Sequence, residues 1–181
     1  MGRLDSKVAV VTGGGNGIGR ACCERFAVEG ADIVVADVLE GPGREVVARV
    51  EATGQRAIFH QLDAADPADN EAAMQRALDE LGGLDVVVTS AGISGKGYVS
   101  DGDTAGAVGR MAENAGTLTD PVRSFTEFPL DDWQAVLDVN LTGTLLAIQS
   151  AARRMPNGGS IITLASIAAK QPEAGTPSYS V

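Results

Sequence analysis

The residues with the clearest chemistry are Gly13, Asn16, Gly17, Ile18 and Gly19, in the run Thr12-Gly13-Gly14-Gly15-Asn16-Gly17-Ile18-Gly19. The run follows the apolar stretch 8–11 and opens into a helix-like segment, 20–29. One glycine permits a sharp turn, one lets the backbone approach a pyrophosphate, and one lets a helix pack against a strand. The helix N-terminus then offers unpaired N–H groups and the positive end of its dipole to an anion. Alone, such a loop is also compatible with a plain flexible turn. A second apolar run, 31–36, ends in Asp37. A carboxylate there can accept hydrogen bonds from both ribose hydroxyls of an adenosine and repels a 2′-phosphate, which favours NAD over NADP. Its bland alternative is a strand-end turn residue.

These residues need a scaffold that brings strand ends together. Strand-like runs at 56–60, 84–88 and 160–164 alternate with helical spacing at 67–81 and 130–155, with Asp66 as N-cap and Pro67 at the first helical position. The run 84–88 is apolar after Asp85, as a strand covered on both faces should be. The alternation predicts an α/β fold: one doubly wound parallel sheet (Rossmann fold) spanning 1–181, with ligands at the carboxyl ends of its strands. Between Gly92 and about residue 126 the sequence is rich in Gly, Ala, Asp and Ser without sustained period, and only a weak helix signal falls at 105–114. A loop of this length is usually functional or disordered.

The 181 residues suit one domain, and 44% apolar with 21% charged residues is ordinary for a globular protein. A net charge of −10 argues against nucleic acid as partner. No uninterrupted apolar run reaches the roughly 18 residues of a membrane span, and the N-terminus carries no apolar signal, so no membrane association and a cytoplasmic location are expected. Cys22 and Cys23 are adjacent, a poor arrangement for a disulfide or a metal, so no metal site is expected. His60, the only histidine, is expected to be structural.

With Asp63, Ser90-Ala91-Gly92, Asn140-Leu141-Thr142-Gly143, Ser166 and Tyr179 added to the glycine run and Asp37, the chain resembles the short-chain dehydrogenase/reductase family over nearly its whole length. That resemblance implies an NAD-dependent oxidoreductase interconverting a secondary alcohol and a ketone by hydride transfer. It makes Tyr179 the acid/base, which also contacts the cofactor. It makes Ser166 the partner on the same substrate oxygen, and Asn140 the residue that bends the long helix and holds a relay water. Asp63, with Ala64, falls where family members touch adenine, and Ser90, Ala91 and Gly92 flank the cofactor. Lowering a tyrosine pKa from near 10 to about 7 takes about 4 kcal/mol, which nearby positive charge must supply. A homo-oligomer, dimer or tetramer, is implied. The apolar cast of 168–178 hints at a substrate that is not highly charged.

The chain departs from the family pattern in three places. Thr89-Ser90 stands where two asparagines are common. The stretch from Gly92 to Asn140 is longer than usual, so 95–123 is read as an insertion, with a mobile lid the expected role. The chain ends at Val181. The family's lysine shortly after the tyrosine, its last strand and helix, and its substrate lid would then be absent, the sheet would be incomplete at its C-terminal end, and the free polypeptide is expected to be unstable and inactive. The alternatives are a non-catalytic NAD-binding fragment and, less well matched in its glycine spacing, a sugar-nucleotide epimerase.

Overall fold

Five short apolar runs form strands, and all of them pair in parallel. In the computed structural model, which describes residues 2–95, 120–171 and 178–180, these are β1 (Val8–Thr12), β2 (Asp32–Asp37), β3 (Ala57–Gln61), β4 (Val86–Thr89) and β5 (Ser160–Thr163). Their order is β3-β2-β1-β4-β5. The order reverses at β1, which pairs with β2 on one side and β4 on the other, and this creates a crevice at their carboxyl ends. The doubly wound parallel sheet expected from the sequence is therefore present.

Side chains alternate across β1. Val8 and Val10 join one core with Val34, Met74, Val87, Ala147 and Ala151, whereas Ala9 and Val11 join the other with Cys23, Ile33, Val35, Val46 and Val50. Burial on both faces is why β1, β2 and β4 read as continuous apolar runs. The second core belongs to α1 (Gly17–Val28) and α2 (Glu40–Glu51), and the first to α3 (Pro67–Arg76) and the long helix after residue 130.

Several boundaries differ from the sequence expectation. α1 starts at Gly17 rather than 20, because the last glycines of the loop already have helical partners: the Arg20 N–H reaches the Asn16 carbonyl at 3.0 Å. The sequence analysis names no particular helix between β2 and β3, and α2 fills that crossover. Gly41, Pro42 and Gly43 hide its start, although proline is compatible with a first helical turn. Gly43 is required by packing, since a Cβ there would lie 2.3 Å from the Phe59 ring. In α3, Asp66 caps the helix as expected, accepting from the Ala68 and Asp69 N–H groups. A π-helical turn, Ala77–Leu81, extends α3, and Arg56 donates to the Glu80 and Leu81 carbonyls at its end. A further short helix, α4 (Pro121–Thr126), occupies part of the stretch read as lacking period, capped by Asp120. Residues 96–119, and with them most of the stretch read as an insertion and the weak helix signal at 105–114, lie outside the described residues.

The stretch read as one helix over 130–155 is α5 (Leu130–Leu137), a π-helical turn Asp138–Thr142, and α6 (Gly143–Arg154). As a unit, Leu130–Arg154 is 25 residues long and apolar enough on average to cross a membrane, which corrects the expectation that no segment has that property. Polar residues interrupt it, which is why no unbroken apolar run is visible. Its inner face docks on α3 and β4 through Ala147, Ser150 and Ala151.

Candidate active site

A cleft of about 440 Å³ opens at the carboxyl ends of the strands beside the crossover point. Its walls are the glycine loop (Gly13, Asn16, Gly17, Ile18, Gly19), the end of β2 (Asp37, Val38, Leu39), the exit of β3 (Leu62, Asp63, Ala64), the exit of β4 (Ser90, Ala91, Gly92, Ile93) and Val139. Every cofactor-binding residue expected from the sequence except Tyr179 is in this lining.

Close approach fixes the glycine loop. Gly13 has φ +64, and a Cβ on it would sit 2.7 Å from the Ala91 nitrogen. A Cβ on Gly19 would sit 2.1 Å from the Gly13 carbonyl oxygen and 2.5 Å from Ser90 Oγ. The loop is therefore folded onto the β4 exit, leaving a cradle that side chains would fill. Ser90, standing where an asparagine is common, does the bracing: its N–H and its hydroxyl both donate to the Thr12 carbonyl, at 3.2 and 2.5 Å. The Ala91 N–H donates to Thr12 Oγ1 at 3.3 Å.

Asp37 is 8% exposed at the end of β2. One carboxylate oxygen accepts the Gly15 N–H at 2.8 Å and the other the Leu39 N–H at 2.9 Å. Each oxygen has a second lone pair, so the group can still accept hydroxyl donors from the cleft. Asp63 is exposed at the rim, with Oδ1 accepting from the Ala65 N–H.

Asn140 lies in the π-helical turn, where the backbone widens. Its amide spans one residue of the β4 exit: Oδ1 accepts the Ile93 N–H at 2.8 Å and Nδ2 donates to the Ile93 carbonyl at 2.9 Å. Ser166 caps a 3₁₀ turn, Ile167–Ala169, accepting the Ala168 N–H at 3.1 Å. Tyr179 is half-buried in the turn 178–180, and residues 172–177 before it lie outside the described residues. Among the described residues no hydrogen bond joins Tyr179 to Ser166 or Asn140, and the cleft lining contains neither Ser166 nor Tyr179.

His60 stands outside the cleft, with Nε2 3.2 Å from the Asp69 carbonyl and Nδ1 3.4 Å from the Arg76 guanidinium. Cys23 is fully buried, and burial pushes its thiol well above the ordinary range; Cys22 is half-buried and shifted the same way. Cys23 Sγ lies 3.9 Å from the Gly14 carbonyl oxygen. The sequence reading missed Val38, Leu39, Leu62, Ile93 and Val139, which add to the apolar surface of Ile18, Ala64 and Ala91 in the cleft. Their signal was positional, since the first four directly follow the ends of β2, β3 and β4 or their exits.

Fold and cleft together define a dinucleotide-binding α/β domain. The family model for short chain dehydrogenases matches residues 7–111 and 101–181. The chain is 33% identical over 179 residues to 2,5-dichloro-2,5-cyclohexadiene-1,4-diol dehydrogenase of Sphingobium indicum, covering 98% of this chain and 61% of that protein. A short chain dehydrogenase from Burkholderia cenocepacia J2315, solved in complex with NADP, is 36% identical, with TM-score 0.77 and coverage of 98% of this chain and 63% of that one. A 7α-hydroxysteroid dehydrogenase solved with NADH and 7-oxo glycochenodeoxycholic acid is 27% identical, with TM-score 0.77 and coverage of 98% of this chain and 60% of that one. The chain belongs to the short-chain dehydrogenase/reductase family, and it spans about three-fifths of the length of these relatives.

Proposed function

We propose that this chain carries the cofactor-binding part, and the Asn-Ser-Tyr set, of an NAD-dependent oxidoreductase that interconverts a secondary alcohol and a ketone. The carrying observation is Asp37, a buried carboxylate fixed at the tip of β2 by two backbone N–H groups and facing the cleft. The residues suit the group. The Gly13–Gly19 cradle leaves room for a pyrophosphate at the N-terminus of α1, and Val38 and Leu39 offer apolar surface beside the ribose position. When bound, the dinucleotide supplies or accepts the hydride. Asp37 accepts the ribose hydroxyls and excludes a 2′-phosphate by like-charge contact in a partly desolvated place, worth several kcal/mol. Relatives bind either form, NADH in one and NADP in another, so the choice rests on this residue.

Tyr179 exchanges the proton with the substrate oxygen, Ser166 donates a hydrogen bond to that oxygen, and Asn140 ties the Ile93 strand exit to the π-helical turn. The whole enzyme is a cytoplasmic homo-oligomer, dimer or tetramer. The exposed Leu141 and Leu145 on the long helix support association, and light scattering tests it. Dissociation constants for NADH and NADPH, followed by NADH turnover against a panel of carbonyl compounds, test the reaction. NADH preference with turnover supports the proposal, and NADH binding without turnover of any carbonyl leaves only a cofactor-binding module.

A further inference from the structure

Two neighbouring side chains of α3 grip the cleft wall from behind. The wall at the β3 exit is the short segment Leu62-Asp63-Ala64. Its Asp63 N–H donates to Asp69 Oδ2 at 2.9 Å, and its Ala64 carbonyl accepts from Asn70 Nδ2 at 2.9 Å. The same Asn70 amide donates to the Asp66 carbonyl at 2.7 Å, tying the helix cap to the wall. On the far side, the Ala64 oxygen lies 2.7 Å from where a Cβ on Gly143 would be, so the carbonyl is wedged between α3 and the first turn of α6.

Asn70 is 1% exposed on the face of α3 that packs against α6. An apolar side chain fills such a place at least cost, because a buried polar group must find partners. Asn70 finds them only in part: its Oδ1 is buried without a hydrogen-bond partner among the described residues. A polar residue kept there in spite of an unsatisfied acceptor points to its two donor bonds as the reason.

We propose that Asp69 and Asn70 are positioning residues that set the shape of the adenosine side of the cleft by holding the Asp63–Ala64 backbone at both ends. This rests on the dinucleotide reading of the cleft. The effect is confined to one half of the ligand, because the glycine loop and the β4 exit are braced separately through Thr12 and Ser90.

The test uses Asp69→Ala, which removes the acceptor, beside Asp69→Asn, which keeps an oxygen in the same place. Calorimetry on the intact protein measures NADH, ADP-ribose and nicotinamide mononucleotide. Loss of one hydrogen bond to the wall predicts NADH and ADP-ribose weakened about fivefold to tenfold in Asp69→Ala, with nicotinamide mononucleotide and all Asp69→Asn affinities within about twofold of wild type. Asn70→Ala should fall the same way; where it fails to fold, the Asp69 pair carries the test. Unchanged ADP-ribose affinity in Asp69→Ala, or equal losses for the two halves, overturns the proposal while leaving the dinucleotide reading intact. A wild-type protein that binds neither NADH nor ADP-ribose overturns both.

Discussion

The Asp37 carboxylate and the Gly15 N–H meet at 2.8 Å, so a group that lines the cleft also closes the glycine loop onto β2. Under the proposed role of Asp37, cofactor choice and loop geometry are coupled through one side chain. Asp37→Ala removes the charge and strands the Gly15 and Leu39 N–H groups, while Asp37→Asn removes the charge but keeps an acceptor oxygen. The expected outcome is a narrowed NADH-over-NADPH preference in both variants, with a loss of absolute NADH affinity that is larger in Asp37→Ala. Fluorescence titration of both cofactors measures it, and an unchanged ratio in both variants would remove Asp37 from cofactor selection.

Asn140 satisfies both backbone groups of Ile93. Asn140→Leu would leave a half-buried donor and acceptor without their protein partners, at less than the roughly 1–3 kcal/mol that full burial costs for each group so stranded. Urea denaturation should therefore show a lower midpoint with unchanged slope. Asn140→Asp should also destabilise, since a carboxylate oxygen would face the Ile93 carbonyl. A midpoint equal to wild type in both would show that the bridge carries no stability.

Gly19 has no room for a methyl group, with the Gly13 carbonyl 2.1 Å from its notional Cβ. Gly19→Ala must push the loop away from the β4 exit, and overpacking of this kind costs about 1–3 kcal/mol. NADH binding should be lost or weakened at least about tenfold, which one such displacement of 1.4 kcal/mol accounts for. Gly54→Ala is a useful contrast because its Cβ would meet nothing within 4 Å. It carries only the strain of its positive φ, far from the cleft, and should leave cofactor affinity unchanged.

What the sequence showed, it showed where one force acts alone. Strands β1, β2 and β4 are covered on both faces, so their apolar runs were unambiguous. Asp66-Pro67 announced α3 because capping is local chemistry. The missing pieces are those in which tertiary contacts override local signals. α2 begins in Glu40-Gly41-Pro42-Gly43, a sequence that looks like a turn until Phe59 is seen lying against Gly43. The π-helical turn at Asp138–Thr142 leaves the helical period almost intact, so only the family resemblance flagged Asn140. The cleft lining at the glycine loop and the end of β2 was legible because glycines and a strand-end carboxylate in that pattern have few other uses. Asn70 was not, since one polar residue in an amphipathic helix normally means a solvent-facing position.

His60 offers a clean pH readout, being the chain's only histidine. It lies near the end of β3 and faces Asp69 and the Arg76–Glu80 pair of α3 and its π-helical extension. The Arg76 guanidinium can only donate, so Nδ1 is held as the acceptor and Nε2 carries the proton toward the Asp69 carbonyl. The neutral ring fits this setting and the charged one does not. Burial lowers its pKa below 6.5 and the Arg76 charge adds to this, against the opposing pull of the Asp69 carbonyl and the Asp69 and Glu80 carboxylates. Because the folded pKa lies below the unfolded one, the unfolded chain binds the proton first as pH falls. The stability from neutral His60 is then fully present above 6.5 and is lost as pH drops from there toward the folded pKa, staying level beneath it. NMR titration of the imidazole ring protons should give a midpoint below 6.5 in the folded protein. Urea unfolding at about pH 7.5 and about pH 5.5 should show a wild-type loss that His60→Gln reduces. A folded-state midpoint above 6.5 would mean that the ring accepts its proton in place and that the pH dependence runs the other way, and a midpoint at 6.5 would leave His60 without influence on it.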